Sequence, residues 1–209
     1  MRYSREHSEA TRKRILGAAA RLYREGGLAG TGVDAVAQAA GVTSGAIYRA
    51  FGSKEKLFEA VVQDGVERLS AGIVQLRRAQ PDGWPAALAG WYLGPQHVGS
   101  PGQGCLLPTL TPDVARGGEA ARILFQEGAR RAAAAADSAG PADGSDAGAA
   151  GGKAPASGWA TLSLLAGAVL LARAAGPGPV QDEILSSAAA AMEGMAQEGT
   201  GGRERQGGG

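Results

Sequence analysis

Apolar residues recur at helical spacing through the first sixty residues, with polar residues at the positions between them. This pattern predicts a first helix whose apolar face is formed by Ile15, Ala18, Ala19, Leu22 and Tyr23. Gly26 and Gly27 follow, and glycine is the usual residue just past the end of a helix. The same spacing then predicts two short helices joined by a sharp turn at Gly41.

Polar residues mark where the later helices begin. Thr31 and Asp34 have the three-residue spacing of a capping box, which predicts a second helix beginning near Thr31. Thr43 or Ser44 would cap a third helix of about two turns. Ser53 would cap a long fourth helix.

The third predicted helix has one apolar and one polar face. Ile47 and Phe51, four residues apart, would face the core together. The remaining positions would face outward, and they are Thr43, Ser44, Gly45, Ala46, Tyr48 and Arg49. Small polar residues at the tip suit insertion into a DNA major groove, with the flanks on phosphates. The segment therefore predicts a helix-turn-helix DNA-binding domain.

Residues 31–58, TGVDAVAQAAGVTSGAIYRAFGSKEKLF, and the helix before them resemble the N-terminal domain of the TetR family of bacterial transcriptional regulators. The resemblance implies phosphate contacts from Tyr48, Arg49 and Lys54, with help from Thr31 at the start of the second helix. It places Thr43, Ser44, Gly45 and Ala46 against base edges or the adjacent backbone. Arg49 departs from the family, which most often has histidine there, but arginine also binds phosphate. Gly45 and Ala46 leave few long side chains to read bases, so no operator sequence is predicted.

Beyond Phe58 the pattern remains helical without a convincing strand, so we expect an all-α fold. Helices are predicted at 54–78, 83–93, 105–115, 119–136, 157–175 and 180–197, with a loop at 94–104. Residues 138–158 are of low complexity and are expected to be mobile. The predicted organisation is a DNA-binding domain at 1–53, a helical ligand-binding and dimerisation domain at 54–198, and a disordered tail at 199–209.

The last two predicted helices each carry an apolar stripe. In TetR-like proteins such helices form a four-helix bundle with their copies in a partner, so the resemblance implies a homodimer. The predicted interface residues are Leu162, Val169, Ile184, Ala188 and Met192. An isologous dimer would also hold two DNA-reading domains at one spacing on a palindromic operator. The alternative is that both stripes pack only within one chain.

The resemblance also implies a ligand pocket in the helical body. The large side chains that could line or adjoin it are Trp84, Trp91, Tyr92, Phe125 and Trp159, with Cys105 as a further candidate. Aromatic residues at helical spacing are more often core residues than ligand contacts. Because charged residues are sparse in this body, we expect an apolar, aromatic or weakly polar effector.

Charge is distributed unevenly along the chain, although the net charge of the 209 residues is only +1. Residues 1–60 hold ten Lys/Arg against six Asp/Glu, a balance of +4. Residues 61–209 hold eleven against fourteen, a balance of −3. The positive end coincides with the helix-turn-helix, as phosphate binding requires. The small total charge argues against an architectural protein that binds DNA without sequence preference.

No signal peptide, membrane span or metal site is predicted. The N-terminus is polar, and the longest apolar run, 158–172, is short and rich in Gly and Ser, so it predicts a buried helix. A single cysteine excludes an internal disulfide and fits the reducing cytoplasm. His7 and His97 are the only histidines, and no Cys/His cluster has metal-ligand spacing, so no metal or cofactor is expected.

Cys105 allows more than one interpretation. It could be a sensor of oxidants or electrophiles if a helix N-terminus or a cation stabilised its thiolate. It could equally be a small buried apolar residue, which is commoner. Pairing it with His97 as nucleophile and base would give an enzyme, but no orienting acid or oxyanion hole is recognisable, so we expect none.

The sequence thus predicts a dimeric, cytoplasmic transcriptional regulator that binds double-stranded DNA. We expect a repressor that a small-molecule ligand releases from its operator by shifting its conformational population. The alternative is a repressor that senses oxidants or electrophiles through Cys105.

Overall fold

The computed structural model of the chain describes residues 2–137 and 156–204, which form ten α-helices and contain no strand. The predicted all-α fold is confirmed. The helices are α1 (Arg2–Gly30), α2 (Val33–Ala40), α3 (Ser44–Phe51), α4 (Lys54–Ala79), α5 (Trp84–Tyr92), α6 (Pro95–Gly99), α7 (Leu107–Arg116), α8 (Glu119–Ala135), α9 (Ala156–Ala175) and α10 (Pro179–Glu204).

Most predicted helices lie where the sequence pattern puts them, and the differences have local causes. Gly27 has φ 72°, so the regular part of α1 ends at the predicted pair of glycines. The predicted loop at 94–104 is wrong in part, since α6 and a 3₁₀ turn at Pro101–Gln103 occupy it. Both begin with proline, whose fixed φ suits the first position of a helical turn. Helix α10 continues through 199–204, where a disordered tail is predicted. The low-complexity residues up to 155 lie outside the described residues.

The chain divides into two compact units. The first comprises Met1–Gly65 and Pro101–Phe125, and the second comprises Val66–Ser100 and Gln126–Gly209. The first unit therefore holds α1, α2, α3, α7, the 3₁₀ turn and the beginnings of α4 and α8. The predicted boundary between residues 53 and 54 separates functions, and that separation remains a prediction.

The core of the first unit is formed by the apolar positions that the helical spacing predicts. Ile15, Ala19 and Tyr23 of α1 are at most 1% exposed, and they share one face of the helix. Val36 and Ile47, from α2 and α3, are fully buried. Burying a side chain of this size contributes about 1.5–3 kcal/mol, so these few residues hold the short helices in place.

In the second unit Arg77 and Gly128 support the packing of α4 with its neighbouring helices. Arg77 is 7% exposed, and its Nη1 donates to the Ala135 carbonyl at 2.9 Å. Its guanidinium also lies 5.1 Å from the Trp84 ring centroid, a cation–π distance. A methyl group at Gly128 would collide with Val66, so α8 crosses α4 at a point where only glycine fits.

Helices α9 and α10 pack against each other in the second unit. Gly158–Ala175, within α9, is long and apolar enough to cross a membrane by length and composition, with a mean hydropathy of 1.5 and 39% of it buried. The core helix of a soluble protein passes the same test, so this is weak evidence. Arg173 of α9 donates to the carbonyls of His97 and Val98 at 2.7 and 3.0 Å, which ties α9 to α6.

Candidate nucleic-acid interface

Helix α3 presents a polar face because its apolar residues are taken up by the core. Ile47 is fully buried and Phe51 is 9% exposed. On the opposite side Tyr48 is 51% exposed, and Arg49 and Gly45 are also exposed. The structure thus brings the predicted base-facing and phosphate-facing residues of α3 to one accessible surface. Thr43, also exposed, is the N-cap residue, as the sequence allows.

Thr31 does not lie where the sequence predicts. It is 6% exposed, and its hydroxyl donates to the Leu22 carbonyl at 3.3 Å. The N-cap residue of α2 is Gly32, and no side chain caps that helix. Both the predicted capping box and a direct DNA contact from the Thr31 hydroxyl are therefore wrong. The hydroxyl is instead used to fasten α1 to the start of α2.

Asp34 is joined to the tip of α3 instead of to Thr31. The Ser44 hydroxyl donates to Asp34 Oδ1 at 2.6 Å, across the turn between α2 and α3. Asp34 is exposed and Ser44 is half-buried. A carboxylate is also favoured near the positive N-terminal end of a helix. This pair fixes the side chain of a predicted base-facing residue, and sequence spacing gave no indication of it.

Arg12 is a second residue whose role the sequence did not reveal. It donates from Nη1 to the Ala50 carbonyl in the last turn of α3. Its guanidinium carbon also lies 4.0 Å from the centroid of the Phe51 ring. Arg12 therefore links α1 to the C-terminal end of α3, where a cation is favoured. These two contacts orient α3 relative to α1.

The segment after α3 begins α4 as predicted. Gly52 has φ 86°, a conformation that favours glycine, and ends α3. Ser53 Oγ accepts from the Lys56 backbone N–H at 3.1 Å, which confirms its predicted capping role. Hydrogen bonds from the backbone N–H of Glu55 and from Ser53 lower the pKa of the Glu55 carboxyl. Lys54 is half-buried at the first position of α4.

Tyr23 holds α1 against α4 beneath this surface. Its ring meets the Phe58 ring edge-on, with centroids 6.0 Å apart. The Tyr23 hydroxyl is buried without a hydrogen-bond partner. Burial, and secondarily the charge of Glu55, raise the pKa of Tyr23 to about 12. The tyrosine thus stays neutral and serves as a packing residue.

The six predicted pocket residues are divided between the two units. Cys105 and Phe125 belong to the first unit, and the other four belong to the second. Trp84 and Tyr92 are core residues, 5% and 0% exposed, whereas Trp159 is 38% exposed. Trp91 lines a groove of about 330 Å³ between α4 and α5. The other lining residues of this groove are Arg68, Leu69, Gly72, Ile73, Gln75, Leu76, Ala79 and Leu88.

Most of the predicted dimer residues are buried within a single chain. Leu162, Val169, Ala188 and Met192 are at most 5% exposed, and Ile184 alone is half-buried. Ile184 and Ala188 nevertheless line a groove between α9 and α10, so the predicted interface remains a prediction. Among the described side chains of α9 and α10, the exposed large apolar ones are Trp159, Leu170, Leu171 and Val180. A groove of about 660 Å³ lies between the two helices, and Leu164, Leu171, Val180 and Ile184 line it.

Cys105 lies just before α7 and is 8% exposed. Its Sγ accepts from the Leu107 backbone N–H at 3.4 Å. No group of three or more His, Cys, Asp or Glu side chains within the described ranges could hold a metal ion.

The N-terminal segment matches a protein-family model. The model is that of bacterial regulatory proteins of the tetR family, and it matches residues 15–61, which run from α1 into α4. A similar curated protein is the HTH-type transcriptional regulator AcrR of Shigella flexneri, 40% identical over 60 residues. That match spans 29% of this chain and 28% of the length of AcrR.

Solved structures extend the similarity of fold to nearly the whole chain. The reduced form of NemR from E. coli has a TM-score of 0.70 at 22% identity, covering 88% of this chain and 95% of that one. A TetR-family regulator from Agrobacterium tumefaciens has a TM-score of 0.69 at 20% identity, covering 91% and 98%. These likenesses concern the fold, and the family model adds a likeness of the head to the N-terminal domain of tetR-family regulatory proteins. The chain is thus similar in its head, residues 15–61, to the tetR family of bacterial regulatory proteins, and similar in fold to solved TetR-family structures.

Proposed function

We propose that the protein is a homodimeric transcriptional repressor that binds a palindromic operator in the cytoplasm and leaves it when a small molecule binds. One observation carries the proposal. Helix α3 exposes Tyr48 and Arg49 and a tip of small residues, while Ile47 and Phe51 are buried. A short helix with this division of faces, following α2 across a turn, has the form that reads the major groove in helix-turn-helix proteins.

The proposed DNA contacts divide into two kinds. Thr43, Ser44, Gly45 and Ala46 would lie against base edges, which carry sequence information. Tyr48, Arg49 and Lys54 would bind phosphates, which position the protein on the duplex.

Selection from randomised duplexes, followed by titration of the selected sequence, tests DNA reading. Arg49→Ala or Lys54→Ala should weaken binding to all sequences about equally and lower the salt slope by about one. Arg78→Ala is the matched control, because this exposed arginine lies near the end of α4 in the second unit. The proposal fails if the wild-type protein selects no sequence.

The dimer is proposed from the exposed apolar face of α9 and α10. Leu171 is 59% exposed and Val180 is 60% exposed, and both line the 660 Å³ groove. Exposed apolar patches rimmed by polar residues commonly mark protein interfaces. The same patch on a second copy would meet it about a two-fold axis.

The effector is proposed to occupy the groove between α4 and α5. Its volume of about 330 Å³ is at the lower end of the range for small-molecule sites, and most of its lining is apolar. Trp91 is 58% exposed there, so a bound aromatic molecule would contact its indole. Anilinonaphthalene sulfonate serves as a probe, and it should quench or shift the fluorescence of the wild-type protein. Trp91→Phe should lose that change, and an unchanged response in the variant would place the ligand elsewhere.

Cys105 supports a second candidate trigger. The hydrogen bond from the Leu107 backbone N–H to Sγ would favour a thiolate, because it brings a donor from the start of α7. Burial of the thiol opposes this effect. Oxidation of Cys105, in place of ligand binding, would then release the operator.

A further inference from the structure

Ser44 and Asp34 form a hydrogen-bonded pair at the tip of α3, next to the exposed Thr43. The N-terminal residues of the second helix are those that meet base edges in helix-turn-helix proteins. Ser44 is the first residue of α3, and its Oγ lies 2.6 Å from Asp34 Oδ1. A carboxylate can only accept a hydrogen bond, so the hydroxyl is the donor in this pair.

This bond uses the only hydrogen that the Ser44 hydroxyl has. A serine hydroxyl carries one donor and two acceptor sites, so lone pairs alone remain for another partner. The exposed Asp34 carboxylate likewise offers only acceptors. The next residue, Gly45, has no side chain that could supply a donor at the tip.

The negative charge of Asp34 makes a phosphate an unsuitable partner for the pair. A base edge with an amino group is suitable, because it donates a hydrogen bond and carries no negative charge. In the major groove adenine N6 and cytosine N4 are such donors, whereas guanine O6 and thymine O4 are acceptors.

We propose that Asp34 and Ser44 act as one acceptor-only reader that selects adenine or cytosine over guanine or thymine at one position of each operator half-site. The inference rests on the proposed specific DNA binding and adds a determinant of specificity to it. Asp34 orients the serine hydroxyl and also presents an acceptor of its own.

Position-by-position preference in randomised-duplex selection tests the proposal. The wild-type protein should show one half-site position at which adenine or cytosine is preferred by about tenfold. In Asp34→Asn the amide can donate to Ser44, which frees the hydroxyl hydrogen to point outward. This variant should lose the preference at that position and keep it elsewhere.

Three further variants separate reading from folding. Ser44→Ala should weaken the preference, and Ser44→Thr, which keeps the hydroxyl, should retain it. Asp82→Asn removes one exposed carboxylate from the second unit and should leave every preference unchanged. Circular dichroism and the unaltered positions of the selected site establish that each variant is folded.

Two outcomes would overturn the proposal. One is sequence-specific binding whose positional preferences are the same in the wild type, Asp34→Asn and Ser44→Ala. The other is a uniform loss of affinity in both variants, which would mean that the pair only holds α2 and α3 together. If the wild-type protein selects no sequence, the proposed function itself fails, and that result is distinct from either outcome.

Discussion

Protonation of His97 should destabilise the fold in a defined range of pH. The imidazole is 5% exposed and stacks on the Tyr92 ring, with centroids 4.4 Å apart. The Trp91 ring meets it edge-on at 5.1 Å. Burial, and secondarily the positive charge of Arg173, lower the pKa of His97 from 6.5 to about 4. The folded protein therefore holds this ring neutral at pH values where an unfolded chain would protonate it.

The magnitude follows from the difference between the two pKa values. Above pH 6.5 neither state binds the proton, and the full stability is present. As the pH falls through 6.5 toward 4, the unfolded chain binds the proton first, so stability is lost. Each unit of difference corresponds to about 1.4 kcal/mol, so the total loss is about 3 kcal/mol by pH 4.

Urea unfolding at a series of pH values measures this contribution when His97→Phe is compared with the wild type. Phenylalanine keeps a ring against Tyr92 but has no group that titrates. Carboxyl groups also respond to acid, but their contribution is common to both proteins and cancels in the difference. His7→Gln leaves His97 as the only histidine, so its ring proton resonance should titrate near pH 4 in an NMR experiment.

Parallel stability curves for wild type and His97→Phe between pH 7 and pH 4.5 would refute this reasoning. A resonance of His97 that titrates near its usual value of about 6.5 would refute it as well. Either result would mean that water or an acidic group reaches the ring in solution.

Four other predictions concern single residues. Arg12→Met should cost about 1–2 kcal/mol of stability through its lost cation–π contact and carbonyl bond, without changing the salt slope of DNA binding; a lower slope would mean that Arg12 contacts phosphate. Gly128→Ala should destabilise by about 1–3 kcal/mol in thermal unfolding through collision with α4, whereas Gly17→Ala, with open space around it, should stabilise slightly; equal effects would contradict the close helix crossing. Leu171→Glu should sediment as a monomer and lose operator affinity, and a dimer that survives would exclude this face as the interface. Cys105→Ser should still leave DNA when the effector binds; release by peroxide that only the wild type shows would favour the cysteine trigger.

The helix-turn-helix could be predicted from the sequence because its determinants are local. Helical spacing placed Ile47 and Phe51 on the buried face of α3. The remaining positions of the helix, such as Tyr48, were therefore expected on the exposed face. Glycines with a positive φ, such as Gly41 at φ 64°, separate the helices. Other residues adopt this conformation only at a cost. Such signals act over one or two turns of chain, so no knowledge of distant contacts is needed.

The partners of particular side chains depended on the tertiary structure. Thr31 and Asp34 have capping-box spacing. In the structure, however, the Thr31 hydroxyl donates to the Leu22 carbonyl, and the Asp34 carboxylate accepts from the Ser44 hydroxyl. Arg12 contacts Ala50, 38 residues away, a distance in sequence at which spacing carries no information. In each case the packing of the helices brought a hydrogen-bond partner near the polar side chain. The two paired because a polar group left without a partner costs free energy.

The same limit applies to the second unit. Periodicity identified apolar stripes on α9 and α10, but a stripe does not say which of its residues face the same chain and which face outward. The packing of helices in the second unit buried Leu162 and left Leu171 exposed. The packing of α4 and α5 likewise left Trp91, one of the predicted pocket residues, on a groove. The sequence by itself therefore determined most of the helices and the exposed face of α3. Only the tertiary structure decided which apolar surface remains for a partner or a ligand, because that surface is what the chain's own packing leaves uncovered.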